Sequence, residues 1–190
     1  NLSFPPSWII GLSTDLLSFA IPAASNPFIS GPFQEIYKST GVSIAIENVQ
    51  FVGYTILGLC FYAVLTLRQK VRFWLLSALV FATLSLGPLL KIAGTTHFSE
   101  FHVRVALPYV ILHEMPIFRY LLVPGRFHTV TMLSLSLLAA FGLREVLAKV
   151  KLQWNSKIAI HLVAGAILVI ILIESSVGPF VPNNVPIPSN

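Results

Sequence analysis

Two arginines flanking a Val-Pro-Gly break are the residues of this chain best suited to binding chemistry. Arg119 closes Met115-Pro116-Ile117-Phe118-Arg119, and Arg126 follows Val123-Pro124-Gly125, with His128 two residues further on. Pro124 and Gly125 interrupt the chain just before a Ser- and Thr-rich apolar segment, which places Arg126 and His128 at the N-terminus of a helix. Such an end already carries about half a positive charge, so a further cation is unfavourable there unless an anion is present. First-turn N–H groups together with a guanidinium would hold a phosphate or a carboxylate. The plainer reading is that both arginines extend to lipid headgroups, as basic side chains at helix ends commonly do.

The acids are few. Asp15, one of only seven, follows Ser13-Thr14 and reads first as a helix cap, second as a base. His113-Glu114 could form an acid/base pair or could face an aqueous loop. His97, Glu100 and His102 have the residue types of metal ligands but not the helical spacing, and no further ligand is fixed, so no metal site is assigned. His161 and Glu174 lie near opposite ends of one apolar run, each able to reach water. There is no phosphate-binding glycine loop, no dinucleotide turn, no Gly-x-Ser-x-Gly and no His-Glu-x-x-His. No cofactor is implied, although the sequence leaves a divalent metal in a longer parent protein open.

The elements that must position these residues are set by composition. Of 190 residues, 55% are hydrophobic and 10% charged, against roughly 25% charged in a soluble domain. Mean hydropathy is +0.82. A small soluble fold needs more polar surface than this, so an all-α, multi-pass membrane bundle is expected. The net charge of +5 comes from twelve dispersed bases without interleaved aromatics, which fits loops facing a membrane and not nucleic acid. The single cysteine, Cys60, excludes an intrachain disulfide.

Four segments approach the roughly 20 residues needed to span a bilayer: 49–67, 73–90, 127–147 and 158–177. A fifth candidate, 105–123, contains His113, Glu114 and Arg119 with two prolines, and one central charge costs about 2.5–3.5 kcal/mol. It is expected to be re-entrant or interfacial, two short helices broken at Pro116, within an outer loop 92–126. Four spans put Arg68, Lys70 and Arg72 on the same side as Arg144, Lys149, Lys151 and Lys157, the cytoplasmic side by the positive-inside rule. Trp74 and Trp154 then fall at the membrane boundary. Residues 1–46 are expected to form an extracytoplasmic loop with a short interfacial helix around 15–20, residues 47–177 the membrane domain, and 178–190 an outer, truncated tail. The chain opens without Met or a signal peptide and is expected to be a later part of a longer protein. Ala78 with Ala82, and Ser136 with Ala140, have the spacing of close helix contacts.

The order of motifs resembles the membrane portion of bacterial and archaeal GT-C superfamily glycosyltransferases that use polyprenyl-phosphate-linked sugars. Over most of residues 11–145, the residues that carry it are Asp15-Leu16-Leu17-Ser18-Phe19, Ile21-Pro22, Asn26-Pro27-Phe28, Phe51-Val52-Gly53-Tyr54, Leu84-Ser85-Leu86-Gly87-Pro88-Leu89, Leu107-Pro108-Tyr109, Met115-Pro116-Ile117-Phe118-Arg119 and Pro124-Gly125-Arg126-Phe127. The resemblance implies a prokaryotic plasma-membrane enzyme with an extracytoplasmic active site. There a carboxylate deprotonates the acceptor, and basic loop residues hold the lipid phosphate. Arg119, Arg126 and His128 are the expected phosphate contacts, while the catalytic carboxylate is expected outside this chain. The alternative is a non-enzymatic membrane module, part of a lipid or polysaccharide exporter or a scaffold.

Overall fold

The computed structural model describes residues 13–42, 49–96, 105–115, 123–154 and 156–178, excluding the side chains of His113 and Glu114. Among these the secondary structure is helical, with two isolated β-bridges and no strand. In chain order the α-helices are α1 (Gln34–Thr40), α2 (Tyr54–Ser85), α3 (Tyr109–Glu114), α4 (His128–Trp154) and α5 (Lys157–Glu174). Short 3-10 turns at Leu16–Phe19 and Gly31–Phe33 precede α1, and a third at Pro124–Phe127 leads into α4.

The long α2 is two antiparallel arms. Arg68 leaves the helical region (φ 3°, ψ −68°) and divides it into residues 54–67 and 69–85. An unbroken helix of 32 residues would hold its ends about 48 Å apart at 1.5 Å per residue. Instead both ends meet one short segment. The Tyr54 hydroxyl donates to the Ala20 carbonyl (2.8 Å), and Thr14 N–H donates to the Ser85 carbonyl (3.4 Å). The chain reverses where Arg68, Lys70 and Arg72 interrupt the apolar run, because three close cations are better solvated than buried.

The α4 helix packs along both arms. It runs antiparallel to the second, with Phe127 beside Phe81 (6.1 Å between rings) and the Ser134 hydroxyl donating to Ser77 (2.9 Å). Leu59, Cys60, Val71, Leu138 and Ala139 form the buried centre between them. Cys60 Sγ donates to the Leu135 carbonyl (3.2 Å). Close approach is made by Gly142, where a Cβ would stand 2.8 Å from the carbonyl carbon of Leu59 and closer still to its oxygen. Ser136 and Ala140, spaced for packing, are instead exposed, and the Ser136 hydroxyl returns to the Met132 carbonyl. The contact face of α4 is one step around the helix from that pair, on Ser134, Leu138 and Gly142. Ala78 is buried as expected.

The end of the bundle opposite Arg68 carries a polar layer. Asp15 caps the turn Leu16–Phe19, so its capping reading holds. The Leu16 N–H donates to the Lys91 carbonyl (2.9 Å), and Leu89 pairs with Ala106 in an antiparallel bridge. The apolar run that predicts a helix to Leu90 therefore stops at Ser85, where the chain turns and begins pairing through its backbone. At the other arm the helix starts at Tyr54, five residues after Val49. Tyr37 of α1 is buried and its hydroxyl donates to the Pro22 carbonyl (3.1 Å). Burial first, and Tyr54 second, push its phenol above the usual range, so it remains a donor.

Among the described residues, two helices are long and apolar enough to cross a membrane, Pro124–Trp154 and Lys157–Glu174. Only 28% of the first apolar window and 6% of the second is buried. That distinguishes both from the core helix of a soluble domain, whose apolar residues are covered by protein.

Candidate functional site

The region around the start of α4 is built from four parts of the chain. Val123 is extended, and Pro124 opens the turn Pro124–Phe127 with its φ already fixed near the helical value. Phe127 stands between Phe81 of α2 and Tyr109 of α3, with its ring 6.1 and 6.3 Å from theirs. Gly87 sits where Ser13 and Pro124 converge, with no room for a Cβ. The turn is thus wedged between the layer and the second arm of α2, and the two residues of interest leave it in different directions.

Arg126 is exposed, whereas His128 is only 8% exposed and its Nδ1 has no hydrogen-bond partner. The Phe19 ring meets the imidazole edge-on at 5.5 Å. The two side chains therefore do not share one solvent-facing surface. One turn along α4, Thr131 is buried with its hydroxyl unpartnered, and Ser134 follows with its bond to Ser77. Of the Ser and Thr residues of this helix, Thr131 and Ser134 are buried and Ser134 bonds to α2, while Thr129 and Ser136 are exposed.

The backbone of the turn offers less to an anion than a free helix N-terminus would. Pro124 has no N–H, Arg126 N–H donates to the Val123 carbonyl (3.2 Å), and His128 N–H donates back to Gly125 and Arg126. An anion here would rest on the Arg126 guanidinium far more than on amides. Arg119 lies outside the described residues, as do His97, Glu100 and His102. His113 and Glu114 end α3, but their side chains also lie outside. Among the described residues no group of three or more His, Cys, Asp or Glu could hold a metal.

Two acids at the layer bind backbone amides. Asp15 Oδ1 accepts from Leu17 (2.9 Å) and Ala93 (3.2 Å), and Oδ2 accepts from Gly94 (2.7 Å). Ala93 and Gly94 are both left-handed (φ 53° and 77°) in the turn that pairs Ile92 with Thr95. Alanine is disfavoured in that region, and the carboxylate rewards the geometry by engaging both N–H groups. Glu174 accepts from Thr55 N–H through both oxygens, at 3.2 and 3.0 Å. It thereby caps the N-terminus of α2, where negative charge is favoured. From the sequence, Glu174 reads as a residue able to reach water. Its position as the sole acid of an apolar helix is the available signal, while its partner Thr55 lies 119 residues away in the chain. Gly142 and Thr131 carry no signal in the sequence, since a lone glycine or threonine in an apolar helix has no distinguishing pattern.

Comparison with known proteins gives no match to any family model, curated protein or solved structure.

Proposed function

We propose that the chain crosses the membrane four times and forms part of a GT-C type glycosyltransferase. It would move a sugar from a polyprenyl-phosphate donor to an extracytoplasmic acceptor. The observation that carries this reading is the exposed Arg126 guanidinium, at the layered end of a helix long and apolar enough to span. In such a crossing that end would stand at the depth of the lipid phosphates. The two arms of α2 supply the other crossings in this reading. Both present large apolar side chains outward, among them Leu57, Phe61 and Leu65 on the first and Phe73, Leu76 and Leu79 on the second. A soluble surface rarely tolerates so much contiguous apolar area. Arg68, Lys70 and Arg72 at the reversal, with the bases around the α4–α5 link, would mark the cytoplasmic face.

In the proposed reaction an acceptor hydroxyl oxygen attacks the anomeric carbon, its proton passes to a carboxylate expected outside this chain, and the polyprenyl phosphate departs with the bonding electrons. Arg126, joined by Arg119, would balance the phosphate charge as it develops, which lowers the barrier to departure. His128, buried against Phe19, is not among the phosphate contacts in this reading. Asp15 is bound by three amides, so we do not propose it as the acceptor base. In the full-length enzyme, Arg126→Ala is expected to weaken binding of a polyprenyl-phosphate donor by about tenfold or more, the worth of one charge-assisted hydrogen bond. Arg126→Lys should recover part of it. Donor affinity and turnover unchanged by Arg126→Ala would exclude the phosphate role.

A second reading is an exporter component or scaffold, in which the acids of the chain have structural roles alone. Both Asp15 and Glu174 are engaged in holding the backbone. Turnover of donor by the full-length protein separates the two.

A further inference from the structure

Charge is divided unevenly between the two ends of the bundle. Among the described residues, the layer end holds three bases, Lys38, Lys91 and Arg126, and three acids, Asp15, Glu35 and Glu174. The opposite end holds Arg68, Lys70 and Arg72 around the reversal of α2, and four more bases between Arg144 and Lys157. Glu145 is the one described acid on that side. Like charges gathered at one end repel one another unless an anion offsets them. Beside the reversal is an open cavity of about 440 Å³, lined by Leu65, Thr66, Leu67, Arg68, Gln69 and Lys70. That is within the size range of small-ligand sites, and its lining combines cations, neutral polar groups and leucines. An apolar stripe runs into it. Leu57, Phe61 and Leu65 are exposed and four residues apart on the first arm of α2, so they share one face over about 12 Å. Leu65 belongs to both the stripe and the cavity. The α4 helix brings a further cation to this arm. Lys149 Nζ stands over the Tyr62 ring, 5.1 Å from its centre, and Tyr62 is one helical turn from Leu65 and Thr66.

We propose that this end of the bundle is a binding site for an anionic phospholipid. Its phosphate would sit in the cavity at Arg68 and Lys70, with Lys149 one turn away, and an acyl chain would lie along Leu57, Phe61 and Leu65. The joining of a cationic cavity to an exposed apolar stripe carries the inference. A soluble phosphate would use the cations and leave the stripe bare. A neutral lipid would cover the stripe and leave the charges unbalanced. An anionic lipid satisfies both, and each Lys or Arg beside such a headgroup is worth about fivefold in affinity. The site rests on the membrane placement proposed above, and it is independent of glycosyl transfer and of the phosphate role of Arg126.

The test is native mass spectrometry of the full-length protein in detergent, titrated in parallel with phosphatidylglycerol and with phosphatidylcholine. The parent should bind phosphatidylglycerol about tenfold or more tightly. Lys70→Gln combined with Lys149→Gln should weaken phosphatidylglycerol about tenfold or more and leave phosphatidylcholine unchanged. Both lysines are exposed, so the pair should fold as the parent does, and Lys70→Arg with Lys149→Arg should keep the preference. Lys38→Gln with Lys91→Gln, at the balanced layer end, should leave both lipids unaffected. Glycerol 3-phosphate, which has the phosphate without the chains, should not displace the lipid at equal concentration. Equal binding of the two lipids by the parent would overturn the site, as would unchanged affinity in the Lys70 and Lys149 pair. So would an equal loss in the Lys38 and Lys91 pair, or displacement by glycerol 3-phosphate. Failure of the membrane placement itself would show differently, as a protein that stays soluble without detergent.

Discussion

Replacing Gly142 by alanine should cost the bundle about 2–3 kcal/mol, the upper part of the range for overpacking a tight contact. The added methyl would lie 2.8 Å from the Leu59 carbonyl carbon and nearer its oxygen. Both are backbone atoms of α2, so no side-chain rotation relieves the clash and the helices must separate. Separation also loosens Leu138 and Ala139 against Leu59, Cys60 and Val71, and lengthens the Cys60–Leu135 bond. Gly165→Ala is the matched control. It removes a glycine from an α5 interior with open space around it, so helix propensity alone predicts a gain of up to about 1 kcal/mol. Thermal unfolding in detergent, followed by tryptophan fluorescence, reads both. Equal stability of the two variants would contradict the packing of α4 on α2.

The second large effect is expected at Asp15. Its carboxylate is 4% exposed and receives N–H groups from Leu17, Ala93 and Gly94. Asp15→Ala leaves three amides without their acceptor, and a buried unsatisfied donor costs roughly 1–3 kcal/mol each before relaxation. A net loss of about 3 kcal/mol or more follows. It should be focused locally, because Ala93 is left-handed and Gly94 is pressed against the Thr40 carbonyl, 2.6 Å from where a Cβ would stand. Without the carboxylate the turn has little to keep it in that conformation. Hydrogen exchange should therefore quicken at Ala93 and Gly94 well beyond any change in α4. Asp15→Asn should fall between, since the amide retains one acceptor oxygen but presents a donor to the other N–H. Unchanged exchange at the turn in Asp15→Ala would show that the carboxylate does not hold it.

Much of the fold was legible because apolar runs interrupted by bases admit few arrangements. The reversal at Arg68, the link between α4 and α5, and the turn at Pro124 all fall where charge or proline breaks a hydrophobic segment. Helix ends at the layer were less legible. Leu86 to Leu90 is as apolar as the helix before it, yet Gly87 and Pro88 turn the chain and its amides pair with residues 105–107. That pairing is tertiary and leaves no periodic trace. The Asp15 cap was readable from Ser-Thr-Asp, but its two further amides come from nearly eighty residues away. At the candidate site, adjacency in sequence gave the right neighbourhood for Arg126 and His128. It could not give their opposite exposure, which Phe19 and the α2–α4 contact decide.

The proposed placement of Arg126 at the outer face of a four-crossing bundle is tested most directly by sidedness. Single cysteines at Phe28, Arg68, Arg126 and Leu152, in the full-length protein with Cys60 replaced by serine, would be exposed to a membrane-impermeant maleimide in intact cells and in inverted vesicles. The account predicts that positions 28 and 126 label only from outside, and positions 68 and 152 only from the cytoplasmic side. Labelling of 68 and 126 from the same side would contradict it.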